Sequence, residues 1–250
     1  MQKQAFVAFV ALLCACASAP PATGPTTTTT TTTAGARSAA DLALDAGRKP
    51  ELFLAFAGVR PGQRIADLGA GGGYTTDLLA RAVGETGRVY GHNSKWVLER
   101  FAEKPWSERL RKPEMNNVVR VDREFDDPLP PEASDLDVVV DVLFYHDTVW
   151  LGTDRQRMNR AVFDHLKPGG LYIVIDHSAK PGAGLNDVQT LHRIEEGVVR
   201  AEVEAAGFVF VEDSNAWRNA DDARDWNDAP GAAKERRGTS DRFALKFKKP

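Results

Sequence analysis

Four residues that follow a short apolar run have the types and spacing of a ligand-binding loop. The pattern is D-x-G-x-G-x-G, formed by Asp67, Gly69, Gly71 and Gly73. Glycines let a ligand approach the backbone because no Cβ stands in the way, and a carboxylate at a strand end can accept a hydrogen bond from an amine. A dinucleotide-binding loop needs a small residue at position 74, where this chain has Tyr74. The spacing therefore disfavours a nicotinamide or flavin cofactor.

Three further residues are candidates for catalysis because each comes at the end of a predicted strand. Tyr145 and His146 lie in the stretch F-Y-H-D, and His177 follows the next strand. Tyr145 could orient a substrate, and His146 could be a general base because a histidine titrates near neutral pH. The alternatives are a backbone-bonding role for His146 and a loop position for His177. His192 and Arg193 could bind an acidic substrate group or lie at the solvated start of a helix.

Other site chemistries find less support in the spacing. The histidines and nearby aspartates invite a metal site, but H-x-x-x-H and C-x-x-C spacings are absent, so we predict no metal. The chain also has no G-x-S-x-G nucleophile motif. Trp217 and Trp226, in a long polar segment before the last strand, could line a substrate entrance or attach that segment to the body of the protein.

Strand and helix patterns alternate along the chain and predict the frame that positions these residues. An unbroken valine run marks a strand buried on both faces, as in parallel sheets. We predict a doubly wound α/β fold with a mostly parallel sheet and an antiparallel strand at one end, with ligands at the carboxyl ends of the strands. The predicted strands are 64–69, 87–93, 117–125, 136–147, 171–178, 208–214 and 241–249. The predicted helices are 38–59, broken at 49–50, then 74–84, 96–112 with an interruption at Pro105, 154–170 and 191–208.

The glycine loop, placed between a strand and a helix, resembles motif I of class I S-adenosylmethionine-dependent methyltransferases. The resemblance covers roughly residues 51–248 and implies a Rossmann-like fold with S-adenosylmethionine as cofactor. Within it, Asp67 and the glycines would hold the methionine part. Asn93 stands where the family has an acidic residue for the ribose hydroxyls, and Asp122 matches the residue that holds the adenine amine. The chain more narrowly resembles a little-characterised group of bacterial predicted methyltransferases.

Charge and cysteine content limit the remaining possibilities. The formal net charge is −3 and Lys and Arg are spread along the chain, so no basic stripe points to a nucleic-acid partner. The only two cysteines are Cys14 and Cys16, and the predicted folded region therefore cannot form a disulfide.

The first residues have the pattern of an export signal. An apolar run shorter than a membrane span is followed by L-C-A-C, which resembles a bacterial lipobox and predicts a signal peptide over residues 1–15 with a lipid on Cys16. Residues 16–39 are rich in Pro, Thr and Gly and predict a disordered tether. Two alternatives stay open: a signal peptide cleaved after Ala19, or a cytoplasmic protein whose start is mis-assigned.

These observations lead to one main interpretation. Residues 40–250 are predicted to be a methyltransferase domain that acts on a small molecule, without a nucleic-acid partner, and is held in the bacterial cell envelope through the lipid. The oligomeric state is left open. The alternative is a non-catalytic envelope protein that keeps the methyltransferase fold and binds a nucleoside-like ligand.

Overall fold

The valine run around Val139 lies in the middle of a seven-stranded sheet. The computed structural model describes residue 1 and residues 36–250, so the predicted signal peptide, Cys16 and most of the tether lie outside the described residues. The strand order is β3-β2-β1-β4-β5-β7-β6. The strands are β1 (Arg64–Leu68), β2 (Arg88–Asn93), β3 (Val118–Asp122), β4 (Leu136–Val142), β5 (Leu166–His177), β6 (Val209–Asp213) and β7 (Arg242–Lys248).

This order places a topological switch point between β1 and β4. From β1 the chain proceeds through β2 and β3 on one side, and β4 and β5 extend the sheet on the other. These neighbours pair in parallel, whereas β7 runs antiparallel to both β5 and β6. The predicted doubly wound sheet with an antiparallel strand at one end is confirmed. Ligands of such sheets bind beyond the carboxyl ends of the strands at the switch point.

Short helices lie in every connection between strands except the one from β3 to β4. Helix α3 packs on β1 and β2, while α7 packs on β5 and α9 packs on β6 and β7. No helix within residues 36–250 is long and apolar enough to cross a membrane. The α-helices are α1 (Ala39–Arg48), α2 (Pro50–Ala57), α3 (Tyr74–Val83), α4 (Lys95–Val97), α5 (Glu103–Leu110), α6 (Tyr145–Trp150), α7 (Arg155–His165), α8 (Val188–Leu191), α9 (Glu196–Ala205) and α10 (Pro230–Ala233).

Local sequence explains several helix ends. The predicted break between α1 and α2 is present: Lys49 has φ 51° and Pro50 begins the second helix, the position where the missing proline N–H costs nothing. Gly73, with φ 82°, precedes α3. Pro105 does not interrupt the helix. It stands in the first turn of α5, where its N–H is not needed, and the backbone before it winds as a π-helix over Leu98–Ala102.

Three predicted boundaries are wrong. Strand β4 ends at Val142, because Leu143 takes φ 61° and turns the chain into α6, so F-Y-H-D is not strand. The stretch from Pro168 to Gly170 belongs to β5 and not to a helix exit, and the β4–β5 register shifts there as in a β-bulge. The predicted helix 191–208 is also divided.

That division falls at His192. The residue has φ 59° and ends α8, and α9 begins only at Glu196. The residues between them extend alongside the end of β5, where Ile194 forms a bridge with Ser178. His192 therefore does not open a helix, and its side chain is placed by a turn and a short strand-like pairing.

Candidate functional site

The glycine loop after β1 is held by the end of β2. The Ala70 N–H donates to the carbonyl of His92 at 2.8 Å. The Asn93 amide accepts from the Gly71 N–H at 2.8 Å and donates to the Gly71 carbonyl at 3.1 Å. His92 is buried, and burial lowers its pKa to about 4, so the ring is neutral near pH 7. Its Nε2 lies 2.9 Å from the carbonyl of Arg123, which anchors the ring behind the loop.

The three glycines of the motif have different surroundings. A Cβ on Gly69 would stand 2.4 Å from the Phe144 ring, and one on Gly73 would stand 2.5 Å from Trp106. At Gly71, with φ 56°, no heavy atom of the described chain other than its sequence neighbours lies within 4 Å of that position. Gly69 and Gly73 therefore allow close packing of the protein on itself, and Gly71 is the position of the motif that faces open space.

Asp67 lies behind the loop at the end of β1. It is 1% exposed, and its carboxylate accepts from the Thr76 hydroxyl at 2.6 Å. Burial raises the pKa of Asp67 to about 7, although the Thr76 hydrogen bond and the charge of Arg48 oppose the shift. A cation brought to this carboxylate would favour its ionised form.

A crevice lies beside the start of α3 and is lined by residues from several elements. Thr75, Val142, Leu143 and the ring of Trp217 provide much of its wall. Two arginines, Arg48 and Arg242, also line it. Burial and the neighbouring charge of Arg242 lower the pKa of Arg48 to about 10, which leaves the Arg48 guanidinium charged at neutral pH. The crevice thus presents positive charge next to the glycine loop.

The Tyr145 side chain points into the protein. It is fully buried, its hydroxyl donates to Glu202 at 2.8 Å, and it accepts from the Asn159 amide at 2.8 Å. Arg155 bonds the same Glu202 carboxylate. These contacts join α6 to α7 and α9. The predicted role of Tyr145 in substrate orientation stays a prediction, and the contacts that its hydroxyl makes are structural.

The fold brings His146, His177 and His192 together at the ends of β4 and β5. The His146 ring centroid lies 4.1 Å from that of His192 and 5.5 Å from that of His177. His146 is buried and donates Nδ1–H to Asp176 at 2.7 Å. Its Nε2 faces Asp147 Oδ1 at 3.3 Å. The structure thus joins two of the predicted catalytic residues with a histidine from a different part of the chain.

Burial and neighbouring charges act in different directions on the three histidines of this cluster. Burial lowers the pKa of His146, but Asp176 and Asp147 outweigh that effect and raise it well above the usual value. His177, which pairs with Asp228 and lies 2.9 Å from the Ser240 hydroxyl, is buried, and burial lowers its pKa to about 4. Burial and the nearby His146 charge also lower the pKa of His192.

The remaining predicted residues form ion pairs. Asp122, the last residue of β3, has a side chain that is 43% exposed and pairs with Arg120 at 2.8 Å, and its predicted role with the adenine stays a prediction. Arg193 is fully buried and pairs with Asp222 at 2.8 Å, so it is not a solvated residue at a helix start. Its guanidinium also lies over Trp226.

Both tryptophans attach the long polar segment to the body of the protein. Trp217 Nε1–H donates to the Arg48 carbonyl at 3.1 Å, and its ring also lines the crevice. Trp226 donates to Asp222 at 2.7 Å. The structure therefore shows that both tryptophans attach this segment, and the substrate-entrance role suggested for them stays a prediction.

Sequence reasoning missed three polar residues at the carboxyl edge of the sheet. They are His92, Arg48 and Asp141. Asp141 is fully buried in β4, and its carboxylate has no hydrogen-bond partner among the described residues. Burial and the charge of Asp176 raise its pKa well above the usual value. Asp141 interrupts the valine run in the sequence, and this could have marked it as a candidate. A charged group is costly to bury without a partner, so an acid at a buried position indicates a specific role.

Sequence relatives match about half of the chain. No family model matches it. The chain is 33% identical over 126 residues to the ubiquinone/menaquinone biosynthesis C-methyltransferase UbiE of Vibrio vulnificus. The matched segment covers 48% of this chain and 44% of that protein. It is 32% identical over 143 residues to UbiE of Vibrio parahaemolyticus, 54% of this chain and 50% of that protein. The chain spans about half the length of the curated relatives it matches.

Solved structures share the fold over most of the chain. A SAM dependent methyltransferase from Aquifex aeolicus is 18% identical with a TM-score of 0.57, and the match covers 80% of this chain and 89% of that one. The [4+2]-cyclase SpnF is 15% identical with the same TM-score of 0.57, over 82% of this chain and 80% of that one. At these identities the likeness shows the Rossmann-like α/β fold that those proteins share with this chain.

Proposed function

We propose that this chain is an enzyme that transfers a methyl group from S-adenosylmethionine to a small-molecule acceptor. The observation that carries the proposal is the open backbone at Gly71, beside the buried carboxylate of Asp67, at the switch point of the sheet. The similarity to C-methyltransferases over about half their length supports it. The fold alone does not, since function resides in sites and not in folds.

The residues around the loop suit the amino-acid part of this cofactor. Asp67 would accept hydrogen bonds from the ammonium group, and Arg48, in the adjoining crevice, would bind the carboxylate. The carbon chain of the ligand, between its ammonium and carboxylate groups, would lie against Gly71. It would fill the open space where another residue would carry a Cβ. When bound, S-adenosylmethionine supplies a methyl group on a sulfonium, whose sulfur keeps the electron pair of the broken bond.

The protein's contribution to such a transfer is mainly alignment. The sulfonium is already a good leaving group, so holding donor and acceptor in line lowers the barrier most. We place the acceptor beside the cluster of His146, His177 and His192, because these side chains lie at the ends of β4 and β5, next to the turn at Leu143 that lines the crevice. The acceptor itself is to be found by experiment.

The test is a calorimetric titration of the full chain with S-adenosylmethionine. We expect micromolar affinity, weakened at least tenfold by Gly71→Trp, which fills the open space. Gly84→Trp is the matched control, since Gly84 also has a positive φ, 67°, and open surroundings, but lies at the far end of α3. Arg48→Gln should weaken binding as well. Equal affinity in both tryptophan variants would contradict the placement of the cofactor.

A second measurement addresses the reaction. Incubating the chain with a methyl-labelled donor and a small-molecule extract should yield a labelled product that Gly71→Trp does not form. If the folded chain gives neither binding heat nor a thermal shift with the donor, the proposal fails and the non-catalytic ligand-binding protein becomes the better interpretation.

We also propose that the chain is exported and anchored to the bacterial cell envelope by a lipid on Cys16. The support is the sequence L-C-A-C and the Pro- and Thr-rich stretch that follows it. Growing cells with a fatty-acid analogue should label the wild-type chain and leave Cys16→Ser unlabelled, with Cys14→Ser as the control that keeps its label. An unlabelled wild-type chain in the cytosolic fraction would contradict the anchor.

A further inference from the structure

The cluster at the ends of β4 and β5 contains three side chains with metal-binding atoms directed at one another. They are His146 and Asp147 in the first turn of α6, and His192 at the end of α8. One ligand atom from each lies within 4.8 Å of the other two. Asp147 Oδ1 is 3.3 Å from His146 Nε2 and 3.7 Å from His192 Nδ1. Ligands about 2.0–2.2 Å from a common Zn²⁺ stand roughly 3–3.5 Å apart, so small shifts would close the site.

The His146 ring is oriented as in a metal ligand. Asp176, which is fully buried, accepts the ring Nδ1–H at 2.7 Å and the His146 backbone N–H at 2.8 Å. This contact directs Nε2 towards Asp147 and His192. A carboxylate that fixes the far nitrogen of a ligating histidine is the usual outer-shell arrangement of protein zinc sites.

The same Nε2 atom is buried, and its polar neighbour Asp147 Oδ1 lies 3.3 Å away without the geometry of a hydrogen bond. The His146 side chain is 0% exposed, and Nε2 makes no hydrogen bond within residues 36–250. Buried polar atoms normally have a partner. The neighbouring atom, Asp147 Oδ1, accepts from Trp150 Nε1–H at 2.8 Å, which holds that carboxylate as outer-shell contacts hold ligating carboxylates.

His192 is held in place by backbone pairing. Its φ of 59° is unusual for a residue with a side chain. Two residues further on, the Ile194 N–H donates to the His177 carbonyl at 3.0 Å, and the Ile194 carbonyl accepts from the Ala179 N–H at 2.9 Å. Strained backbone of this kind persists when the surroundings enforce it, often at functional sites. The pairing brings His192 against His146 although the two are far apart in sequence.

We propose that His146, Asp147 and His192 bind a divalent transition-metal ion, with Zn²⁺ or Co²⁺ as suitable probes. Two imidazoles and one carboxylate match the donors that such ions prefer. The His192 and Asp147 side chains are 20% and 12% exposed, so one side of the site opens towards solvent and leaves a coordination position for water or an acceptor oxygen. The sequence-based expectation of no metal relied on spacing along the chain, which cannot register a ligand contributed by another loop.

The test uses the full chain without a histidine tag, stripped of metal with a chelator and then titrated with Co²⁺. We expect one equivalent to bind and to give a visible absorption band, which Zn²⁺ then removes by displacement. His192→Gln and Asp147→Asn should each lower the affinity at least 100-fold. Asp176→Asn, which alters the support of His146, should lower it 10- to 100-fold.

The control is His165→Gln. His165 lies at the end of α7 and bonds the Ala133 carbonyl, so this variant should bind Co²⁺ as the wild type does. Equal affinities for His192→Gln and His165→Gln, or a correctly folded wild-type chain that binds no ion, would overturn the proposal. Gly71→Trp should retain metal binding although it weakens S-adenosylmethionine binding. A failure of the metal site and a failure of the cofactor site are therefore observed separately.

Discussion

The side-chain amide of Asn93 bonds both backbone polar groups of Gly71. Its oxygen accepts from the Gly71 N–H at 2.8 Å, and its nitrogen donates to the Gly71 carbonyl at 3.1 Å. An amide can make both bonds, whereas a carboxylate cannot donate. The loop thus supplies a physical reason for asparagine at position 93, and the predicted contact of Asn93 with the ribose stays a prediction.

Asn93→Asp should therefore weaken S-adenosylmethionine binding about tenfold and lower the free energy of unfolding by about 1–3 kcal/mol, because a buried carboxylate would face the Gly71 carbonyl. Calorimetry and urea unfolding measure the two effects. Asn219→Asp is the matched control, since Asn219 also accepts a backbone N–H, from Asp221, and donates to a carbonyl, of Thr239. Tighter binding in Asn93→Asp would show that the residue meets the ribose instead.

The pKa of Asp67 gives a prediction for the pH dependence of stability. The folded chain keeps a proton on Asp67 up to about pH 7, whereas the unfolded chain releases it near its ordinary value of 3.8. The folded state therefore binds more protons in this interval, and the contribution of Asp67 to the free energy of unfolding falls as the pH rises from about 4 to 7. Asp67→Asn keeps an acceptor for Thr76 and removes this loss.

The free energy of unfolding of Asp67→Asn minus that of the wild type should thus increase across this interval, by up to about 4 kcal/mol. Urea unfolding at several pH values measures this difference. A difference that stays constant from pH 4 to pH 7 would mean that Asp67 titrates normally in the folded chain.

Most of the fold could be predicted from local sequence patterns. The valine run of β4, the Lys49-Pro50 break and the glycine before α3 each act through neighbouring residues, so the sequence predicted them. The end of β4 could not be predicted in this way. Leu143 takes a positive φ that leucine rarely adopts, and tertiary contacts impose it. The N–H of Leu143 donates to the Ile175 carbonyl at 2.7 Å, a partner that no local pattern reveals.

The candidate site could be predicted only in part, because some of its contacts are local in sequence and others depend on tertiary pairing. Asp67 and Gly71 belong to one continuous motif, so their proximity could be predicted. The contact of His146 with His192 depends on the turn after α8 and on the pairing of Ile194 with the end of β5. The Asn93–Gly71 pair depends on the β1–β2 register, in which Asp67 lies opposite Gly91.

Trp106 provides a prediction about packing. Its side chain is fully buried, and a Cβ on Gly91 would stand 2.6 Å from its ring. Gly91 has no positive φ, so Gly91→Ala acts through overlap, chiefly with the Trp106 ring and less with the Thr76 methyl at 3.2 Å. It should lower the free energy of unfolding by about 1–3 kcal/mol. Gly197→Ala, in α9 with no close neighbour, should leave stability unchanged or raise it.

The double variant Gly91→Ala with Trp106→Phe separates overlap from other causes. The smaller ring leaves room for the added methyl group, so the two losses of stability should sum to more than the loss in the double variant. Additive losses in urea unfolding would place the cost of Gly91→Ala somewhere other than the Trp106 ring.

Two buried tyrosines form a matched pair for the last prediction. The Tyr145 hydroxyl bonds Glu202 and Asn159, whereas the Tyr172 hydroxyl is buried with no hydrogen-bond partner among the residues described. Tyr145→Phe should lower the free energy of unfolding by about 1–3 kcal/mol, because Asn159 and Glu202 lose a buried partner. Tyr172→Phe removes an unsatisfied group and should leave stability unchanged or raise it.

The same pair tests the predicted role of Tyr145 with the acceptor. If the hydroxyl acts only inside the protein, Tyr145→Phe lowers stability and leaves the affinity for S-adenosylmethionine and the acceptor KM unchanged. A raised KM at full stability would assign Tyr145 to the acceptor site and would require its ring to leave the Glu202 contact. Urea unfolding together with labelled-methyl kinetics on the identified acceptor distinguishes the two results, because a structural bond and a substrate contact move different quantities.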